Sequence, residues 1–128
     1  MILLTGTTGF VASYVAPELV GRGHQLRYLV RRASETRLPA PGEVSHGDVT
    51  DPEAVRQAMA GIDTVIHLAA IIQEKGRATF QRVNYEGARN LIHAAKEAGV
   101  RKFIFMSNIG VSPDPSLSFL YSKWQGEE

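Results

Sequence analysis

The sequence has no cysteine, almost no net charge and no long apolar run. The lack of cysteine excludes disulfides, thiolate metal sites and a cysteine nucleophile, and it permits a reducing cytosol. Fourteen Lys and Arg against thirteen Asp and Glu leave a formal charge of +1, which offers no basic field for nucleic acid or an anionic membrane. The early apolar run at 2–4 is far shorter than the roughly 20 residues of a membrane span. We therefore expect a soluble, cytoplasmic protein without a membrane span or a nucleic-acid partner.

Short apolar segments alternate with helical patterns along the 128 residues. In the first helix, Val11, Val15 and Leu19 lie four residues apart on one face, and Pro17 should bend it. Near-continuous apolar strands separated by helical crossovers are typical of a parallel sheet covered on both faces. The sequence predicts an α/β fold, a doubly wound parallel sheet, with strands at 1–5, 24–30, 43–49, 63–70 and 101–106 and helices at 10–22, 50–61, 77–98 and from a start within 117–123.

The segment Gly6-Thr7-Thr8-Gly9-Phe10-Val11-Ala12 joins the first strand to the first helix. A glycine at the strand end allows a tight turn, a second lets backbone amides approach a pyrophosphate, and a small third residue lets the helix pack closely. The helix N-terminus adds unpaired N–H groups and a positive dipole end. An ordinary turn with two glycines is the alternative, but the position between strand and helix favours dinucleotide binding.

Arg31 and Arg32 follow the second strand, where NAD-binding proteins place a carboxylate for the adenosine ribose. The first acid, Glu35, comes several residues into the loop. Two guanidinium groups suit the 2′-phosphate of NADP through charge-assisted contacts. The sequence therefore favours NADP over NAD, with two solvated loop arginines as the alternative.

The motifs TGTTGF, GDVTD, HLAA, VNYEGARNLI and FMSNIG occur in this order along the chain. In combination they resemble the short-chain dehydrogenase/reductase superfamily, and more narrowly its extended and atypical branches, over nearly the whole chain. The resemblance implies a Rossmann fold with strand order 3-2-1-4-5. It also implies that residues 1–128 are the N-terminal, dinucleotide-binding domain of a longer protein, ending before the last strands and a small substrate domain.

The resemblance assigns the cofactor contacts. The residues along the dinucleotide would be Gly6, Thr8, Gly9, Phe10 and Val11 at the pyrophosphate, Arg31 and Arg32 at the adenosine ribose, Asp48 and Val49 at adenine, and Leu68, Ala69 and Ala70 toward the nicotinamide ribose. From the residues alone, Asp48 could equally be a turn former, and the two alanines small core residues. We interpret His67 as a core histidine and expect no metal site. Asn84 has either a buried hydrogen-bonding role, as the resemblance implies, or a solvent-facing one.

The family's catalytic residues are a Ser after the fifth strand and a Tyr–Lys pair spaced YxxxK, in which the ammonium lowers the pKa of the phenol and also holds the nicotinamide ribose. Ser107 and Lys123 match, but Asn108 stands where a second serine is usual and Phe119 stands in the tyrosine position. Tyr121 is two residues from Lys123, which turns it away on a helix. If Ser122-Lys123-Trp124-Gln125 is a capping box, however, the helix begins at Ser122 and Tyr121 is free to reach the nicotinamide.

Three functions follow from this sequence. The first is an atypical NAD(P)(H)-binding protein with a regulatory or non-standard redox role, like the family members that lack the tyrosine, among them an accessory subunit of respiratory complex I. The second is an NADP-dependent oxidoreductase or sugar-nucleotide epimerase/dehydratase that uses Tyr121. The third is a Rossmann-like module without nucleotide. Whether the protein is an enzyme, which small molecule is its substrate, and whether it pairs with itself or another protein stay open.

Overall fold

The computed structural model describes residues 1–32 and 38–128. The strands are β1 (Ile2–Thr5), β2 (Leu26–Val30), β3 (Glu43–His46), β4 (Thr64–His67) and β5 (Lys102–Phe105), and the helices are α1 (Phe10–Gly21), α2 (Pro52–Ala58), α3 (Gly87–Glu97) and α4 (Ser118–Glu127). The strands form one parallel sheet in the order β3-β2-β1-β4-β5. This confirms the predicted Rossmann-like α/β fold and its strand order.

Each face of the sheet has its own core. On one face, Leu3 of β1 packs with residues of α2 and α3, including Val55 and Leu91. On the other, Leu4 packs with Ala12 and other residues of α1. The alternation follows from strand geometry, because successive side chains point to opposite faces. Both faces of the central strands are therefore covered, as the apolar strand segments predicted.

The buried stripe of α1 consists of Ala12 and Ala16, and both are completely buried. The predicted apolar stripe was one residue out of phase, since Val11 and Val15 are only half-buried. Small side chains let the helix axis approach the sheet closely, so the alanines, not the larger valines, occupy the contact. The helix runs through Pro17 as far as Gly21.

Helix α2 begins as predicted. Asp51 is its N-cap, and the carboxylate accepts hydrogen bonds from the backbone N–H groups of Glu53 (3.0 Å) and Ala54 (3.3 Å). Pro52 occupies the first turn, where its missing N–H costs nothing. Such a cap stabilises a helix by about 1 kcal/mol.

The helix predicted for 77–98 starts later. Residues 75–78 form a tight turn, in which the backbones of Lys75 and Ala78 exchange two hydrogen bonds of 3.0 Å. Gly76 makes this turn with φ +58°, a left-handed conformation, and Ala78 is paired with Lys75, so residues 77–78 belong to the turn and not to a helix. A π-helical segment at Gln81–Glu86 then leads into α3. The prediction was therefore correct for the region of α3 and wrong for the first turn of the predicted helix, at 77–79.

The last helix, α4, begins at Ser118. A start at Ser122 is therefore wrong: Tyr121 lies within the helix, and the Ser122 hydroxyl donates a 2.7 Å hydrogen bond to the carbonyl of Phe119 instead of capping the helix.

Strand β5 is an edge strand, and Ile104 is 44% exposed on it. Within residues 1–32 and 38–128, no helix is long and apolar enough to cross a membrane.

Candidate functional site: a nucleotide cavity at the ends of the strands

The glycine turn brings the ends of β1 and β4 together. Gly6 has φ +78°, and a Cβ atom placed on it would lie 2.6 Å from the backbone nitrogen of Ala69 and 2.7 Å from the carbonyl carbon of Leu68. The N–H of Gly9 donates to the Gly6 carbonyl (3.1 Å) and closes the turn. Among the residues that the structure describes, no side chain caps α1, so the first amide groups of that helix have the free donors that suit an anion.

A cavity of about 580 Å³ opens at the carboxyl ends of β1, β2 and β4. This is the crevice in which open α/β sheets bind ligands. The predicted residues that line it are Gly6, Thr8, Gly9, Arg31, Asp48, Val49, Leu68, Ala69 and Ala70. The structure thus gathers nine of the proposed cofactor contacts around one space.

Three proposed contacts near the glycine turn and β2 do not line this cavity. Phe10 is 78% exposed and forms an edge-to-face pair with Tyr14, their ring centroids 5.1 Å apart. Val11 is half-buried beside it on α1. Arg32 is exposed and lines a smaller neighbouring cavity of about 290 Å³ together with Arg31 and Asp48. Arg31 therefore borders both spaces, while Glu35 lies outside the described residues.

Asp48 has the turn-forming role considered for it, and its position leaves the adenine contact a prediction. Its Oδ1 accepts hydrogen bonds from the backbone N–H (2.9 Å) and the hydroxyl (3.0 Å) of Thr50, which is turn-forming behaviour. The residue also lines both cavities. It is the one carboxylate among the described residues that line the larger cavity.

Thr5 is a site residue that the sequence analysis missed. Its hydroxyl accepts a hydrogen bond from the backbone N–H of Ala69 (3.3 Å) and lies 2.6 Å from Nδ1 of His67. Thr5 and His67 are directly opposite each other in the β1–β4 register. A polar residue as the last member of an otherwise apolar strand was the available signal. The pair fixes the backbone that runs along the cavity from β4.

His67 is a core residue, as predicted, and is 1% exposed. Burial, and secondarily the charge of Lys123, lowers the pKa of His67 to about 3. The imidazole is therefore neutral at physiological pH. Its Nε2 has no hydrogen-bond partner among the described residues, and the ring packs against Phe105 with centroids 5.6 Å apart.

Lys123 lies under the end of β5 and does not line the larger cavity. It is 2% exposed, its Nζ donates a 2.7 Å hydrogen bond to the carbonyl of Met106, and it lies 4.4 Å from the ring centroid of Phe105. Burial lowers the pKa of Lys123. The bonded carbonyl belongs to the residue just before Ser107, whose hydroxyl oxygen is buried and has no partner in the described part of the chain. The predicted Ser–Lys pair thus converges on the end of one strand.

The aromatic residues of α4 face other partners. Phe119, in the tyrosine position, packs edge-to-face on Phe80 with centroids 5.6 Å apart. Tyr121 stacks on Trp124 at 5.7 Å. Neither ring lines the nucleotide cavity.

Asn84 has the buried hydrogen-bonding role. It is 1% exposed, exchanges hydrogen bonds with the backbone of Ile71 (2.9 and 3.1 Å) and donates to the Ser122 hydroxyl (3.2 Å). It therefore joins the segment after β4, the π-helical segment and α4. π-Helical turns are frequent at functional sites, and here the turn carries the residue that connects α4 to the cavity wall.

The comparisons with known proteins identify the family. A family model described as NAD(P)H-binding matches residues 6–127. The chain belongs to this NAD(P)H-binding family. The 3-beta-hydroxysteroid dehydrogenase of Mycolicibacterium neoaurum is 42% identical to it over 120 residues, which are 86% of this chain and 32% of that protein. The chain thus spans about a third of the length of this curated relative.

Two solved structures agree with this assignment. A short-chain dehydrogenase/reductase superfamily protein from Agrobacterium tumefaciens with bound NAD is 32% identical, with a TM-score of 0.79, over 99% of this chain and 43% of that one. The UDP-glucose 4-epimerase of Thermus thermophilus in complex with NAD is 26% identical, with a TM-score of 0.80, over 98% and 48%. These similarities agree with the short-chain dehydrogenase/reductase superfamily that the motifs predicted.

Proposed function

We propose that this chain is an NADP(H)-binding domain whose protein works without a tyrosine acid/base. The observation that carries the proposal is the pair Phe119 and Lys123 on α4. Lys123 stands at the lysine position of the family pattern and is buried near the end of β5, but a phenyl ring four residues before it cannot exchange a proton. Helix α4 thus carries the Lys123 ammonium, but it has no tyrosine phenol four residues before it.

The residues around the cavity fit a dinucleotide. A Cβ on Gly6 would fill the space where the turn approaches β4, so the turn offers a cradle of backbone amides for the pyrophosphate. Arg31 and Arg32 border the smaller cavity beside the adenosine end, which favours a 2′-phosphate and hence NADP. Leu68, Ala69 and Ala70 would lie along the nicotinamide ribose.

NADP(H) in this position supplies or accepts a hydride. The chain's own contribution is positional: the amides of the glycine turn bind the pyrophosphate, and Lys123 would hold the nicotinamide ribose. The Ser107 hydroxyl, which has no partner among the described residues, would donate a hydrogen bond to a substrate oxygen. Phe119 occupies the position of the usual proton donor and cannot exchange a proton, so a regulatory or non-standard redox role is the consequence.

The cofactor preference is tested by calorimetric titration of NADPH and NADH. We expect tighter binding of NADPH, and in the double variant R31A/R32A a loss of NADPH affinity of about tenfold or more, because charge-assisted contacts to a phosphate are removed. NADH affinity should change little. Equal affinities in the unaltered protein, or an R31A/R32A variant that still prefers NADPH, would overturn the assignment. If neither NADPH nor NADH binds, the result would favour a Rossmann-like module that binds no nucleotide.

A working oxidoreductase or epimerase is the second candidate, favoured by the dehydrogenase that is 42% identical. We propose that such an enzyme would act on a carbonyl or alcohol, and that a 3-hydroxysteroid or its ketone is the first substrate to test. The measurement is NADPH oxidation against a carbonyl panel, with Tyr121→Phe as the variant. Tyr121 stacks on Trp124 and does not line the cavity. We therefore expect Tyr121→Phe to oxidise NADPH at the same rate as the unaltered protein. Loss of turnover in this variant would sink the first proposal and support the second.

A further inference from the structure

Helix α4 meets the rest of the protein through a narrow buried face. The buried residues of this helix are Ser122, Lys123 and Gly126. They lie on one side of the helix because they are spaced i, i+1 and i+4. A buried ammonium needs polar or aromatic partners close by, so the distance between α4 and β5 decides whether Lys123 keeps its partners. The two neighbours of Lys123 on this face are therefore placed to control that distance.

Gly126 brings the backbone of α4 against β5. A Cβ atom placed on Gly126 would lie 3.0 Å from Cζ of Phe105 and 3.4 Å from the carbonyl oxygen of Asn84, which is closer than carbon atoms normally pack. The Phe105 ring is also packed against His67, with centroids 5.6 Å apart. A side chain at position 126 would therefore displace either the helix or the Phe105 ring.

The same aromatic ring supports Lys123. Its Nζ lies 4.4 Å from the ring centroid of Phe105 and donates a 2.7 Å hydrogen bond to the carbonyl of Met106. The backbone N–H of Met106 donates to the carbonyl of His67 (3.1 Å), so the acceptor is fixed to the sheet. Both contacts of the ammonium depend on distance. A displacement of α4 or of the ring would therefore weaken them.

Ser122 connects the same helix face to the nucleotide cavity. Its hydroxyl accepts a 3.2 Å hydrogen bond from the side chain of Asn84 and donates a 2.7 Å hydrogen bond to the carbonyl of Phe119. The Asn84 amide in turn bonds the backbone N–H and carbonyl of Ile71 (2.9 and 3.1 Å), and Ile71 lines the cavity. Ser122 thus joins α4 to the segment along which the nicotinamide ribose would lie.

We propose that Gly126 and Ser122 are positioning residues that hold the Lys123 ammonium at the end of β5, where it binds the nicotinamide ribose. Gly126 acts by having no side chain, and Ser122 acts through its hydroxyl. The inference rests on the proposed function for the ribose contact. The place of the ammonium itself is measurable without nucleotide.

The first test compares NADPH with 2′,5′-ADP by calorimetric titration, because 2′,5′-ADP keeps the adenosine 2′-phosphate but lacks the nicotinamide and its ribose. In Gly126→Ala and in Ser122→Ala we expect NADPH affinity to fall by about tenfold, since the charge-assisted hydrogen bond to the ribose is misplaced. The affinity for 2′,5′-ADP should stay the same.

Two control variants match these substitutions. In Gly21→Ala, at the end of α1, the new Cβ meets nothing within 4 Å. Ser118→Ala removes the hydroxyl of an exposed serine in the first turn of α4. Neither control should change the affinity for NADPH or for 2′,5′-ADP.

The second test needs no nucleotide. Burial lowers the pKa of Lys123, while the charge of Glu127 acts in the opposite direction, and His67 is neutral throughout the titration of a lysine. NMR of the lysine side chains follows this titration, and Lys123→Met identifies the resonance. We expect the pKa of Lys123 to rise toward its usual value in Gly126→Ala and Ser122→Ala, because a displaced ammonium gains water. It should not move in the two controls.

Three results would overturn the inference. The first is an unchanged pKa of Lys123 in both variants. The second is an equal loss of affinity for NADPH and 2′,5′-ADP, which would indicate general damage to the domain. The third comes from K123M/G126A, which should bind NADPH like Lys123→Met alone, because a positioning residue has no effect once the group that it positions is gone. A further loss in this double variant would contradict the inference.

Failure of the proposed function would look different. If Lys123→Met binds NADPH as tightly as the unaltered protein, the ribose contact is wrong, and if neither NADPH nor NADH binds, so is the nucleotide site. In both cases the pKa of Lys123 still decides whether Gly126 and Ser122 hold the ammonium. Circular dichroism of each variant checks that the fold is retained. Alanine is a better helix former than glycine, so helix propensity by itself would not unfold Gly126→Ala.

Discussion

The glycine turn at residues 6–9 and helix α4 lie at the same end of the sheet but supply function in different ways. The turn acts through its backbone, so it needs small residues and a close approach, and Gly6 has both. Under the proposed function, helix α4 would act through side chains, and the phenol oxygen that Phe119 lacks would change its chemistry. Phe119 keeps an aromatic contact with Phe80, so the helix packs normally without the phenol. The packing of α4 therefore does not depend on a phenol at position 119.

The largest expected effect comes from adding a phenol oxygen at position 119. Phe119→Tyr restores the YxxxK spacing with Lys123, and if a usable substrate is present, we expect the rate of NADPH oxidation to rise by about 10²–10⁴-fold, the usual contribution of a general acid. The measurement is the carbonyl panel already described. Phe80→Tyr, which adds a hydroxyl to the ring packed on Phe119, is the matched control and should give no gain. If Phe119→Tyr binds NADPH and still turns over nothing, the phenol is not what separates the two regions.

The next largest effect is expected from a substitution in the glycine turn. In Gly6→Ala the new Cβ would meet the backbone of Leu68 and Ala69 at a positive φ, which we expect to cost about 1–3 kcal/mol of unfolding free energy. NADPH affinity should fall by about a hundredfold, as expected for roughly 2–3 kcal/mol of binding energy. Urea unfolding and calorimetry measure the two losses.

The control for this variant is Gly21→Ala. Gly21 ends α1, and a Cβ there meets nothing within 4 Å. It should leave NADPH binding unchanged and stabilise the protein by about 0.5–1 kcal/mol. Normal NADPH affinity in Gly6→Ala would show that the backbone approach at this turn is not needed for binding.

The smallest expected effect concerns His67, which lies between the two regions. It contacts Thr5, the residue before the glycine turn, and Phe105, the ring that Lys123 of α4 packs over. Its pKa is lowered from 6.5 to about 3 by burial, so the unfolded chain binds the proton more readily. The folded state therefore loses stability as the pH falls below 6.5, by at most about 1.4 kcal/mol per pH unit for one group. Urea unfolding between pH 6.5 and 4.5 should show a shallower slope in His67→Gln. His93→Gln, on the exposed side of α3, should keep the original slope.

The sequence predicted the elements whose signals are local. Apolar segments marked the strands, and Asp51 with Pro52 marked the start of α2. One helix start was predicted wrongly because helical periodicity was not decisive there: the turn at 75–78 takes up residues that had been included in the helix. The start of α4 at Ser118 falls within the predicted range of 117–123. The alternative start at Ser122 was wrong, because Ser122 bonds back to Phe119 within the helix.

By itself, the sequence determined that this protein is a doubly wound α/β domain with a glycine turn of the dinucleotide-binding kind, and that Phe119, not a tyrosine, stands four residues before Lys123. Spacing along the chain carries that information, because strand and helix periods and short turns involve neighbours. The tertiary structure decided the rest: that Asn84 joins Ile71 to Ser122, and that Lys75, Arg77 and Arg82 share a wall with the cofactor cavity. These contacts depend on where the sheet brings distant segments together, and no local pattern specifies that.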